Sequence, residues 1–262
     1  MSAGKRRGLG QHFLRDPGIA SAIVDLVAPT ARDLVVEIGP GEGALTEELA
    51  RRSGRLIALE VDLGLIERLR RRFPHVDVQH ADARGWEYAA LVRPAGGRVL
   101  VVGNLPYSVS KPIVTALQAA RRAIDVMALM LQREVAERLA ARPGGKVYGA
   151  LSVLTQAGCE VELALRVPPG AFRPPPQVDS AVVRLTPRPE SRVPAALEAR
   201  FREVVRAAFG RRRKTLPNAL SEGLGVSLAQ AREATARAGL DPGRRAETLT
   251  IEEFVVLTAR LS

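Results

Sequence analysis

Cysteine is almost missing from this chain of 262 residues; Cys159 is the only one. A single thiol excludes an intrachain disulfide and a metal cluster built on cysteines. Long apolar runs are missing too, and no stretch approaches the roughly 20 residues needed to cross a bilayer. The start, Met1 to Arg7, is basic with no apolar segment behind it, which argues against a signal peptide. A cytoplasmic protein without a membrane partner is the plain expectation. Negative charge is also short. Aspartate and glutamate number 28 against 39 lysines and arginines, which leaves a net charge of +11 and a pI near 10.9. A GC-rich genome would explain arginine in place of lysine, but not the imbalance between signs. A surplus of this size favours a polyanionic partner, nucleic acid first.

What is present reads as globular. Hydrophobic residues are 46% and charged residues 26%, and the length suits one large or two modest domains. Short apolar runs alternate with amphipathic segments through the first two-thirds. Strands are expected at 34–38, 55–60, 76–80, 99–102 and 124–131, with helices at 44–52, from 61 to about 72, and around 134–141. That alternation predicts an α/β fold with a doubly wound, mostly parallel sheet. Residues 180–185 are expected as a last strand, antiparallel at or near an edge. Pro187 to Pro194 holds three prolines and reads as a linker. Beyond it only helices are expected, at about 195–209, 215–222, 227–238 and 250–261. The organisation predicted is therefore an α/β domain over 1–186 and a small helical domain over 187–262. The second is denser in positive charge, with fourteen basic and nine acidic residues.

The chemistry-bearing residues fall at strand ends. Residues 37–43 read Glu-Ile-Gly-Pro-Gly-Glu-Gly between a strand and a helix. Glycines there let a ligand approach the backbone at a helix N-terminus. The spacing is Gly-x-Gly-x-Gly, not the Gly-x-Gly-x-x-Gly of dinucleotide enzymes. On the loop alone, a nucleotide cradle and an ordinary tight turn both remain open. Glu60 ends the next strand, where a carboxylate can accept both hydroxyls of a ribose. Asp82 follows the third strand, where it could accept from an adenine amine or simply cap a helix. Asn104-Leu-Pro-Tyr107 follows the fourth. An amide carbonyl and an aromatic ring joined by a stiff proline suit a planar ring that carries an amine. All four sites lie at the edge where open α/β sheets bind ligands.

In combination and order these blocks resemble the ribosomal RNA adenine dimethyltransferase family. Gly10-Gln-His-Phe-Leu-Arg-Asp16 is similar to the family's Gly-Gln-Asn-Phe-Leu-x-Asp motif, with His12 in place of the usual Asn. Val36 to Gly41 and Asn104 to Tyr107 match its cofactor and target-base motifs. Leu131 to Val135, Tyr148 to Ser152, Phe172 to Val182 and Phe209 to Thr215 match further blocks. The likeness covers nearly the whole chain. It implies a Rossmann-like methyltransferase domain that uses S-adenosylmethionine and no metal. The cofactor would touch His12, Leu14, Gly39, Glu60, Asp82 and Asn104. The target adenine would sit between Tyr107 and Phe172, with Asn104, Leu105, Pro106 and Tyr107 as the catalytic segment. Arg211, Arg212, Arg213 and Lys214 would bind RNA.

The implied reaction is direct displacement by the adenine amine on a sulfonium methyl. Asn104's side-chain carbonyl and the Leu105 carbonyl would accept the amine's two hydrogens and free its lone pair. The implied substrate is a pair of adjacent adenines in the 3′-terminal hairpin loop of 16S rRNA, in the 30S subunit or its precursor. The chain is expected to act as a monomer. Two rival readings are a 23S rRNA adenine methyltransferase of the macrolide-resistance type and a ribosome-assembly factor that works mainly by binding. The arginine run and Tyr148 to Ser152 favour the small-subunit enzyme. A nicotinamide dehydrogenase is disfavoured by the glycine spacing and the basic charge.

Overall fold

A computed structural model of the chain describes residues 12–211 and 213–261. It divides into two compact units. The first holds the residues up to Ala136 together with Glu162–Pro187. The second holds Glu137–Val161 and the residues from Arg188 onward. No helix among the described residues is long and apolar enough to cross a membrane.

The first unit opens with β1 (Phe13–Leu14) and α1 (Pro17–Asp25). Asp16 caps α1 by accepting from the Ile19 N–H, and Pro17 takes the first turn, where its missing N–H costs nothing. Alternating strands and helices follow: β2 (Leu34–Ile38), α2 (Ala44–Arg52), β3 (Arg55–Glu60), α3 (Leu63–Arg72), β4 (Asp77–His80), β5 (Val99–Asn104), α4 (Ser110–Ala119) and β6 (Val126–Gln132). β2 is buried at every position, β5 at all but its last. Helices cover both faces of such strands, so they read as mainly apolar runs, broken in β2 by the buried Glu37. α5 (Arg133–Ala140) and α6 (Ala150–Gly158) lead to β7 (Cys159–Val167), β8 (Phe172–Arg173) and β9 (Ser180–Pro187).

Seven strands form one sheet in the order β4-β3-β2-β5-β6-β9-β7. Neighbours from β4 to β6 are parallel, and β9 runs antiparallel to β6. This is the doubly wound sheet that the alternation implied. The last strand is antiparallel and near the edge as expected, one place in, with β7 outside it. The register sets Ile38 beside both Leu59 and Gly103, and Glu60 beside His80. The ends of β2, β3, β4 and β5 therefore open together on one edge. β1 and β8 pair separately and antiparallel, Leu14 opposite Phe172.

The second unit is helical: the end of α5, then α6, α7 (Glu198–Phe209), α8 (Leu216–Leu224), α9 (Leu228–Arg237) and α10 (Ile251–Arg260). Capping boxes start α9 at Ser227 and α10 at Thr250. Its apolar core joins Tyr148, Val153 and Ala157 to Phe201, Leu220, Phe254 and Leu257. The Tyr148 hydroxyl donates to the Leu249 carbonyl at 3.1 Å, and its ring meets Phe209 edge-on. This packing explains a difference from the single division at 186/187 expected from the prolines. The chain does change unit at Pro187, but residues 137–161 already belong with the C-terminal helices.

Candidate functional site

A cavity of about 320 Å³ opens at the strand-end edge of the first unit. His12, Gly39, Glu60, Asp82, Asn104, Leu105, Pro106 and Tyr107 all line it. These eight come from five separated stretches of sequence, and the parallel register is what assembles them.

The glycine loop forms one wall. Gly39, Gly41 and Gly43 all have positive φ, at 67°, 58° and 89°. A side chain is excluded at Gly41 for a second reason, since a Cβ there would lie 2.9 Å from the Phe13 ring. β1 thus presses directly on the loop and keeps its backbone bare.

Glu60 is buried at the end of β3. One carboxylate oxygen accepts from the Val61 and Asp62 N–H groups at 2.8 and 3.1 Å. The other accepts from the Gly41 N–H at a long 3.3 Å. That second oxygen keeps capacity for a hydroxyl on a ligand.

Glu37 sits in β2, two positions before Gly39, and is wholly buried, a residue of the glycine motif for which the sequence alone suggests no role. Burial pushes its carboxyl up to about 8, and the charge of Glu60 adds to the rise. Thr46 pulls the other way, yet no hydrogen bond closes between them.

Asn104 ends β5. Its Nδ2 donates to the His12 carbonyl at 3.0 Å. A carbonyl can only accept, so this contact orients the amide and leaves Oδ1 as the end that accepts. The Leu105 N–H is used by the Met130 carbonyl at 3.0 Å, which locks the turn that follows the strand. The Tyr107 hydroxyl bonds Ser180 Oγ at 2.8 Å and holds the ring in place. Ser180 is buried and 73 positions away in sequence, and no local pattern marked it. The His12 ring stands 5.7 Å from that of Tyr107, tilted by 35°. Its Nδ1–H donates to the Pro174 carbonyl at 2.8 Å, since that carbonyl cannot donate.

Two expected residues lie elsewhere. Leu14 and Phe172 are paired across β1 and β8 and pack in the apolar core, with Phe172 only 5% exposed. Neither lines the cavity. The pairing anchors the segment that carries His12 and Phe13.

Asp82 lies on the rim, and its carboxylate is held by Arg84. The Arg84 main-chain N–H donates to Oδ1 at 2.9 Å, Nε reaches both oxygens at 3.0 and 2.9 Å, and Nη2 donates to Oδ2. These bonds, the side-chain ones first, keep the carboxyl below its ordinary value. Arg84 also lines the cavity and was not singled out from sequence.

The basic run belongs to the second unit. Arg211 Nε donates to Glu222 at 2.9 Å, and Lys214 pairs with the other oxygen of the same carboxylate. Lys214 first, then Arg211, hold the Glu222 carboxyl below its usual range. Arg213 is exposed, and Arg212 lies outside the described residues.

The acceptors around the cavity are Glu60, Asp82 and Asn104 Oδ1. They suit a ligand rich in hydroxyl and amine donors, and the bare loop suits close approach of its backbone-facing side. A nucleoside cofactor fits that set.

Comparison with known proteins agrees. The profile of the family Ribosomal RNA adenine dimethylase matches residues 3–262. A Geobacter metallireducens protein named Ribosomal RNA small subunit methyltransferase A is 45% identical, over 97% of this chain and 94% of its own. A protein of that name from Xanthomonas euvesicatoria is 46% identical, over 98% and 96%. Among solved structures, the 23S rRNA methyltransferase ErmE superposes with a TM-score of 0.72 at 28% identity, covering 95% of this chain and 99% of that one. A dimethyladenosine transferase from Plasmodium falciparum superposes with a TM-score of 0.77 at 25% identity, covering 94% and 96%. With the family profile matched almost end to end and relatives this similar, the chain belongs to the ribosomal RNA adenine dimethylase family.

Proposed function

We propose that this S-adenosylmethionine-dependent enzyme dimethylates the N6 amines of two adjacent adenines in the 3′-terminal hairpin loop of small-subunit rRNA. It acts as a cytoplasmic monomer on the 30S subunit or its precursor. The observation that carries the reading is the orientation of Asn104. Its Nδ2 is committed to the His12 carbonyl, so its Oδ1 is the end left to accept from an incoming amine.

Bound S-adenosylmethionine supplies an electrophilic methyl group. The chain's own residues do the rest. Glu60 accepts the ribose hydroxyls, and Asp82 accepts the amine of the cofactor's adenine. Tyr107, braced by Ser180, presents a ring face on which the target base stacks, an interaction of roughly 1–3 kcal/mol per base. Asn104 Oδ1 and the Leu105 carbonyl draw the two amine hydrogens out of the ring plane, which frees the nitrogen lone pair. Catalysis is then mostly alignment of nucleophile and methyl. Phe172 would offer the second stacking face only if its ring left the core. The His12 ring already lines the cavity beside Tyr107.

The curated relatives at 45 to 46% identity carry the small-subunit name, which favours that substrate over the 23S type. The test is transfer of labelled methyl from S-adenosylmethionine to 30S subunits lacking the modification, with 23S rRNA in parallel. Dimethyladenosine in 16S rRNA alone is expected. Label in 23S rRNA alone would overturn the substrate assignment, and transfer to neither would point to an assembly factor.

A further inference from the structure

We propose that Arg84 is an affinity-setting latch on the cofactor pocket, occupying the Asp82 carboxylate until a nucleoside amine displaces it. The inference rests on Asp82 being the acceptor for the cofactor's adenine amine, and it adds what stands in the way. A carboxylate offers about four acceptor positions. Here the Arg84 main-chain N–H and Nε reach Oδ1, while Nε and Nη2 reach Oδ2. Three N–H hydrogens, the Nε one shared between both oxygens, therefore crowd this carboxylate, and all come from one residue. Both side chains are about half exposed, at 54% and 46%. The guanidinium thus has solvent to swing into. Both residues line the cavity, so the exchange happens at its wall.

The swap makes chemical sense on both sides. An amine N–H gains a charged acceptor, and the guanidinium gains water. The main-chain bond from Arg84 to Oδ1 is independent of its side chain and keeps Asp82 aimed through the exchange. The consequence is a cofactor held less tightly than the pocket would otherwise allow. The demethylated by-product carries the same adenine, so it is released more readily too. Two methyl transfers to one nitrogen need two fresh cofactors, and a weakened grip shortens the wait between them.

The experiment is calorimetric titration of S-adenosylhomocysteine into the intact wild-type protein, Arg84→Ala, Asp82→Asn and the double variant. An exposed pair of this kind is weak, so its removal changes an affinity by no more than roughly fivefold. Arg84→Ala should bind three to five times more tightly in this sense, and Asp82→Asn more weakly than wild type. In the Asp82→Asn background, Arg84→Ala should change nothing. S-inosylhomocysteine, with a carbonyl in place of the amine, should show no gain from Arg84→Ala. Unchanged or weaker binding by Arg84→Ala, with Asp82→Asn still impaired, would overturn the latch alone. Wild-type binding by Asp82→Asn would overturn the Asp82 assignment beneath it.

Discussion

Asn104 commits one end of its amide to architecture and leaves the other for the proposed chemistry. Nδ2 holds the main chain of His12, and Oδ1 is aimed by that commitment. Asn104→Ala should lower turnover on the order of a hundredfold or more, the scale of losing one preorganised polar contact to reacting atoms. Cofactor affinity measured by calorimetry should change little. Wild-type turnover in this variant would end the proposed role. Glu37 makes a different demand. It stays protonated in the folded chain up to about pH 8 and ionises above about pH 4.5 when unfolded. The folded state therefore holds the extra proton across that window, and stability falls as pH rises through it. Glu37→Gln should remove the fall, gaining on the order of a few kcal/mol at pH 8 and little at pH 4.5. Urea unfolding at both values checks this; an equal effect at the two would contradict it.

At the scale of elements, Asp33 ties the starts of β2 and β5 together. Its carboxylate accepts from the Arg98 main-chain N–H at 2.7 Å and from Arg98 Nη2 at 2.8 Å, and Thr30 donates twice more. Burial alone would raise its pKa, but the Arg98 side chain and these other donors outweigh it and bring the group to about 2. Because the folded value is depressed, its contribution of about 2 kcal/mol is present above pH 4 and lost as pH falls toward 2. Urea midpoints of wild type and Asp33→Asn should be well separated at pH 6 and converge near pH 2. The elements themselves were unevenly legible. β2, β3 and β5 stood out because strands buried on both faces are mostly apolar, with their few polar residues, Glu37, Arg55, Glu60 and Asn104, near the ends. β7 did not, because as an edge strand it is buried only at its two ends and carries Glu160, Glu162 and Arg166. The cavity lining was legible where residues sit at strand ends, as at Glu60 and Asn104. Ser180 and Arg84 were not, since their roles come from partners that only the folded chain supplies. For Phe172 the family resemblance suggested a stacking face, and in this structure its ring lies in the apolar core.

Over the whole molecule, the charge surplus is only partly available to a polyanion. Glu222 engages both Arg211 and Lys214, while Arg213 stands exposed. Replacing Arg211, Arg213 and Lys214 by Gln should weaken RNA binding and flatten its dependence on salt by about one unit of slope per lost phosphate contact. Glu222→Gln should do the reverse by releasing two cations. Filter binding across a salt series reads both, and unchanged slopes would show that the run is an ordinary solvated turn. The sheet order also governs how this protein emerges from the machinery that makes it. β6 gains its parallel neighbour as soon as residue 132 is out, yet its other side must wait for β9. At about 5–20 residues per second, that edge of a nearly all-buried strand stands open for several seconds of translation. The nascent chain therefore has a defined interval of stickiness, which opens with β6 and closes only when Ser180–Pro187 arrives.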